Sequence, residues 1–73
     1  MREHLKLLVE SFNDEQGLPE NAFIATYALI SLEMGVKAAS KFNNCVDAID
    51  GYFYTDCASA GQIWELMERA EKE

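Results

Sequence analysis

Two acid pairs are the residues whose types and spacing could do chemistry. Asp47 and Asp50 lie three positions apart, and so do Glu65 and Glu68. On a helix, residues three apart share a face. Two carboxylates on one face can divide acid and base roles, provided a cleft raises the pKa of one of them. A helical domain of 73 residues offers little room for such a cleft. The same carboxylates can do something simpler, which is to hold negative charge toward a basic partner. Other reactive types are scarce. The single histidine, His4, borders the apolar stripe of the first segment and reads as an edge residue. Cys45 and Cys57 have neither C-x-x-C nor H-x-x-x-H spacing to make them zinc ligands. With no apolar signal-peptide core after Met1–Lys6, they read as thiols rather than a disulfide. The sequence shows no Gly-rich phosphate loop, nucleophile elbow or triad. The expectation is a protein that is not an enzyme, with no cofactor and no metal.

The charge layout favours the simpler use. Thirteen acids stand against six bases, for a net charge of −7. The bases are Arg2, Lys6, Lys37, Lys41, Arg69 and Lys72. Between Lys6 and Lys37 lie Glu10, Asp14, Glu15, Glu20 and Glu33, with no base among them. Between Lys41 and Arg69 lie Asp47, Asp50, Asp56, Glu65 and Glu68, again with no base. This balance argues against direct nucleic-acid binding, which needs a basic patch or stripe. The plain reading is a solvated acidic surface that keeps a small protein soluble. The functional reading is a negative surface that meets a positive one. DNA-binding clefts are built to neutralise phosphate, and spaced carboxylates can occupy such a cleft as a decoy. Long-range attraction would then make capture fast and salt-sensitive.

The elements that must position these residues read as helices. Seventy-three residues allow one domain, 1–73, with one modest core. At 49% hydrophobic, the chain is too apolar for wholesale disorder. Leu5, Leu8, Val9 and Phe12 place one amphipathic helix from Arg2 to about Glu15. Gly17 suits a left-handed cap, and Pro19 suits the first turn of a second helix. That helix runs to about Met34, with Phe23, Tyr27, Ile30 and Met34 as one stripe. Ile24, Ala25, Ala28, Leu29 and Leu32 make it apolar nearly all round, which marks a buried helix or an oligomer interface. A homodimer would help to bury it. The apolar stretch Ala22–Leu32 is too short to span a bilayer, so the expectation is a cytoplasmic protein with no membrane partner.

Past Gly35, the segment 36–40 is either a helical turn or a linker. Phe42, Val46, Ile49 and Phe53 then recur at helical spacing and predict a third helix to about Asp50. The competing reading is a hairpin turning at Asp50-Gly51. The helix is favoured because no other strand is evident to pair with a lone hairpin. Thr55 or Ser59 caps the last helix, with Ser59-Ala60-Gly61-Gln62 in capping-box form. Ala60, Ile63, Trp64, Met67 and Ala70 line its inner face. The expected fold is all-α, a small compact domain of about four helices.

The stretch Ala48-Ile49-Asp50-Gly51-Tyr52-Phe53-Tyr54-Thr55, followed by an acidic helix, resembles a recurrent segment of the ArdA antirestriction family. That family's pattern is roughly Ala-Tyr-x-Gly-x-aromatic-x-Ser/Thr. Ala48, Gly51, Phe53 and Thr55 match it, while Ile49 replaces the usual aromatic, Tyr54 stands where an acid is common, and Ser59 replaces a later aromatic. The likeness runs from Phe42 to Arg69. It implies a dimeric DNA mimic that inhibits restriction enzymes. Under it, Asp47, Asp50, Asp56, Glu65 and Glu68 become the candidate phosphate-mimicking positions, chosen by charge rather than by an invariant motif.

Two functions follow as expectations. One is an acidic inhibitor, of a phage or mobile element, that binds the DNA-binding surface of a restriction or CRISPR complex. The other is a small interaction module or regulatory subunit that uses an aromatic or apolar patch. Tyr52 and Tyr54 join the five acids as candidate partner-binding residues, because aromatic side chains anchor interfaces. The alternative for Tyr52-Phe53-Tyr54 is a staple between the third and fourth helices.

Overall fold

A computed structural model describes residues 2–13, 16–55 and 60–73, with the side chains at 60 and 61 left aside. Among them are α1 (Arg2–Ser11), β1 (Leu18–Pro19), α2 (Glu20–Met34), α3 (Val36–Asn44), β2 (Val46–Ile49), β3 (Tyr52–Thr55) and α4 (Ala60–Glu71). Among the described residues the chain is mostly helical, with four helices, but it is not all-α. A three-stranded antiparallel sheet in the order β1-β3-β2 joins the helices.

The helical stripes are where their spacing puts them. Leu5, Val9 and Phe12 are buried from the first segment, while Leu8 stays partly exposed. Thr26, Ile30 and Met34 are buried from α2, and Phe23 and Tyr27 pack half-buried against them. Thr26 is polar and buried, so its hydroxyl donates to the Ala22 carbonyl at 2.8 Å. Ile63, Trp64, Met67 and Ala70 are buried from α4. Ala38, Ala39 and Phe42 make α3 the central helix, packed on both α2 and α4. The two alanines let those neighbours approach closely.

Local boundaries differ from the sequence reading in four places, and the segment 36–40 takes the first of its two open readings. The first helix ends at Ser11 rather than near Glu15, with Asn13 N–H bonded back to the Glu10 carbonyl at 3.0 Å. Pro19 is not inside α2; at φ −69°, ψ 164° it is the extended residue before the helix and also belongs to β1. The segment 36–40 is helical and opens α3. The predicted third helix to Asp50 is wrong, because α3 stops at Asn44 and β2 begins at Val46. The candidate cap Thr55 lies inside β3, and Ser59 lies outside the described residues.

The hairpin beat the helix for a local and a distant reason. Locally, Asp50 and Gly51 both take positive φ, +54° and +83°, as a two-residue type I′ turn demands. The distant reason is the third strand. Leu18 pairs with Phe53 and Pro19 with Tyr52, and beyond them Thr55 N–H donates to the Phe12 carbonyl at 2.8 Å. Two residues of strand and one helix-end carbonyl therefore satisfy the outer edge of β3. Phe53 then stacks flat on Phe23, with centroids 4.7 Å apart at 9°. Phe23 stacks on Phe42 at 5.8 Å, and Phe42 meets Phe12 edge-on at 5.3 Å. This ring column joins the sheet to α2, α3 and the end of α1.

Candidate acidic and aromatic surface

Strand alternation sorts the hairpin into two faces. Phe53 faces the helices. Tyr52 and Tyr54, one residue to either side, take the opposite face. Cross-strand partners share a face, so Asp47 opposite Tyr54 and Ile49 opposite Tyr52 complete the outer surface. Asp47, Ile49 and Tyr52 are exposed there, and Tyr54 is half-buried. Asp50 sits at the turn, exposed. Four of the candidate residues, Asp47, Asp50, Tyr52 and Tyr54, are thus brought together. Asp47 and Asp50 do not share a helix face as their spacing suggested, because one is on a strand and the other in a turn.

A groove of about 630 Å³ runs beside this surface, lined by Asn13, Gln16, Ile49, Asp50, Tyr52, Tyr54 and Thr55. The Thr55 hydroxyl donates to Asn13 Oδ1 at 3.3 Å, which ties the end of α1 to β3 at the groove's edge. The lining offers one carboxylate, two phenols, two amides, one hydroxyl and an apolar side chain. That set suits recognition by hydrogen bonding and ring contact. Asn13, Gln16 and Ile49 were missed from sequence. The spacing puts Ile49 in a helical stripe, and Asn13 and Gln16 carry no signal.

The remaining acids are elsewhere. Glu65 and Glu68 are exposed on α4, which packs on α3, α1 and α2. Asp56 lies outside the described residues. Beyond its own Arg69, folding gives α4 one basic neighbour from far along the chain, Arg2. Glu65 is 4.0 Å from Arg69, an exposed contact of little worth. Arg2, at the far end of the chain, holds Glu71 through two hydrogen bonds, one of them 2.7 Å from Nη1 to Oε1. Arg2 Nη2 also donates to the Glu33 carbonyl at 3.2 Å. One guanidinium thereby connects the start of α1 to the ends of α2 and α4.

Those hydrogen bonds hold the Glu71 carboxyl below the usual carboxylate range, against an opposing pull from desolvation. A depressed carboxylate stabilises the fold above its unfolded pKa, and that contribution is lost as pH falls through the folded value. The window therefore opens below about pH 4.3, the ordinary glutamate value. In a carbon-detected NMR titration, Glu71 is expected to protonate below the ordinary glutamate range. Arg2→Ala is expected to return it to the ordinary range. An unchanged Glu71 midpoint in that variant would refute the contact.

Among the described residues, no cluster of three metal-ligating side chains occurs and no helix is long and apolar enough to cross a membrane. Cys45 is half-buried against the core, and Cys57 lies outside the described residues. Comparison with protein-family models, curated proteins and solved structures finds no match for this chain.

Proposed function

We propose that this chain is a non-enzymatic acidic binding protein that docks its hairpin on a basic protein surface. In its specific form it occupies the DNA-binding surface of a host defence enzyme, as an antirestriction or anti-CRISPR inhibitor would. The observation that carries the reading is the outer face of the hairpin, where Asp47 lies opposite Tyr54, Ile49 opposite Tyr52, and Asp50 at the tip. Carboxylates accept charge-assisted hydrogen bonds from arginine and lysine. Tyrosine rings attract the same cations over their faces. Both devices engage the side chains that a nucleic-acid enzyme uses on phosphate. The net charge of −7 adds long-range steering toward such a surface. Occupation of the cleft excludes DNA sterically and requires no chemistry from the inhibitor. The stretch 48–55 that resembles the ArdA segment covers the end of β2, the turn and β3.

The test is capture from a bacterial lysate on immobilised protein, with elution by duplex DNA and separately by salt. Retained nucleic-acid enzymes that DNA displaces support the reading. The double reversal Asp47→Lys, Asp50→Lys is expected to slow association at least ~10-fold at low salt, because it reverses the steering charge at the contact. Glu65→Lys with Glu68→Lys then tells whether α4 belongs to the same footprint. Capture of an enzyme whose binding ignores both salt and the Asp47, Asp50 reversal would sink the proposal. That outcome favours the second reading, an interaction module with an apolar contact. The observation behind it is the outer side of α2, where Ile24, Leu29 and Leu32 are exposed.

A further inference from the structure

The most conspicuous surface not used by the hairpin is this outer side of α2. Ile24, Ala25, Ala28, Leu29 and Leu32 share it, all exposed, with Leu32 at 83% and Ile24 at 57%. Val36, which opens α3 just past the Gly35 break, is also exposed, at 68%. No residue from Asn21 to Leu32 is charged, although the chain as a whole carries −7. Singly exposed apolar residues are ordinary, but a contiguous apolar helix face marks a contact surface.

We propose that this face is a homodimer seam, in which α2 packs antiparallel on α2 of a second copy about a twofold axis near Ala28. Area, charge and shape all single out a second copy as the occupant. The exposed side chains from Ile24 to Leu32 offer on the order of 400 Å² per copy, so two copies with their rim residues bury about 800–1,000 Å², at the lower edge for a specific interface. The absence of charge from Asn21 to Leu32 makes this a surface on which two strongly acidic chains can meet with little repulsion. An anionic membrane is a poor occupant, since the face carries no lysine or arginine to anchor it. The sequence is also self-complementary in size. A twofold axis near Ala28 brings Leu32 of each copy over Ala25 of the other, bulky against small, and the alanines allow the close helix approach that such packing uses.

Sedimentation equilibrium on the full chain from about 1 to 200 µM tests this across the range where an interface of this size associates. The expected result is a mass rising toward twice the 8.2 kDa chain. Added salt should strengthen the dimer by screening the repulsion between two like-charged copies. That is the opposite sign to its effect on hairpin binding, so the two surfaces fail separately. Leu32→Glu is expected to raise the dissociation constant roughly 100-fold or more, since the twofold axis introduces the buried charge twice. Leu32 is solvent-exposed in the single chain, so the variant should keep its helical circular dichroism. Ala25→Arg is the second variant and has the same expected result. A single-chain mass for the wild type at the highest concentration overturns the proposal. A dimer that both variants leave within about threefold of wild type also overturns it, because copies then pair through another surface.

Discussion

Phe42→Ala is expected to cost about 3–5 kcal/mol, the range for emptying a large aromatic site in a packed core. Phe42 has no solvent exposure, and its ring lies between Phe12 at 5.3 Å and Phe23 at 5.8 Å. Its removal breaks the aromatic column in the middle, and α3 loses its central contact with α2. Collapse around the void is limited, because the next small side chains on α3, Ala38 and Ala39, are already buried. A chain of this size is stable by only about 4–11 kcal/mol. The variant therefore loses much or all of its folded population, and its thermal midpoint should drop by tens of degrees at roughly 4–8 °C per kcal/mol. Urea titration followed by circular dichroism measures the loss. Phe42→Leu keeps most of the volume and should cost under about 1.5 kcal/mol. A loss below about 1 kcal/mol for the alanine variant would mean that the ring column does not hold the elements together.

Gly17→Ala is expected to cost about 2–4 kcal/mol through two effects at one atom. Gly17 has φ +69°, a left-handed conformation that an L side chain resists. A Cβ there would also stand 2.7 Å from the Phe53 carbonyl oxygen and 3.1 Å from its carbon. Both are backbone atoms in the centre of the sheet, so no rotamer change relieves the contact. Relief requires β1 to move off β3 and to give up the Leu18–Phe53 pairing. Gly51→Ala separates the two effects. Gly51 has φ +83° but nothing within 4 Å of its added Cβ, so it carries the conformational cost alone, about 1–2 kcal/mol. Equal urea midpoints for the two variants would show that the close approach to Phe53 contributes nothing. Hydrogen exchange supplies a second measure. The Phe53 and Thr55 amides should exchange faster in Gly17→Ala, because the β1 side of β3 loosens.

These two sites differ in how legible they were. Gly17 was readable as a left-handed position because its neighbours, the end of an amphipathic stripe and a following proline, lie within five residues. Its proximity to Phe53 was not readable, since thirty-six positions separate them. Phe42 was readable as core, but it was placed at the start of a helix when it lies near the end of one. The stripe Phe42, Val46, Ile49, Phe53 misled because a helix followed by a hairpin can repeat apolar residues at four-residue spacing by coincidence. The residue types from Val46 to Thr55, rich in β-branched and aromatic side chains, agreed with strands throughout. Pairing partners were the missing knowledge. A two-residue strand at Leu18–Pro19 and a helix-end carbonyl at Phe12 leave no periodic signal.

The amino-acid sequence by itself determined the helices' inner faces, the turn residues and the acidic balance. Leu5, Val9 and Phe12, then Ile30 and Met34, then Ile63, Trp64, Met67 and Ala70 are buried as their spacing requires. Such periodicity is set within a few turns of one helix, so the sequence carries it whole. Tertiary structure alone decided that the chain contains a sheet and that Asp47 and Asp50 stand on a strand and a turn. It alone placed Tyr52 and Tyr54 outward beside Asn13 and Gln16, and it alone let Arg2 reach Glu71 across the chain. Each of these depends on segments far apart in sequence meeting in space. Their free energy comes from hydrogen bonds and ring contacts between elements, which no local window of residues contains.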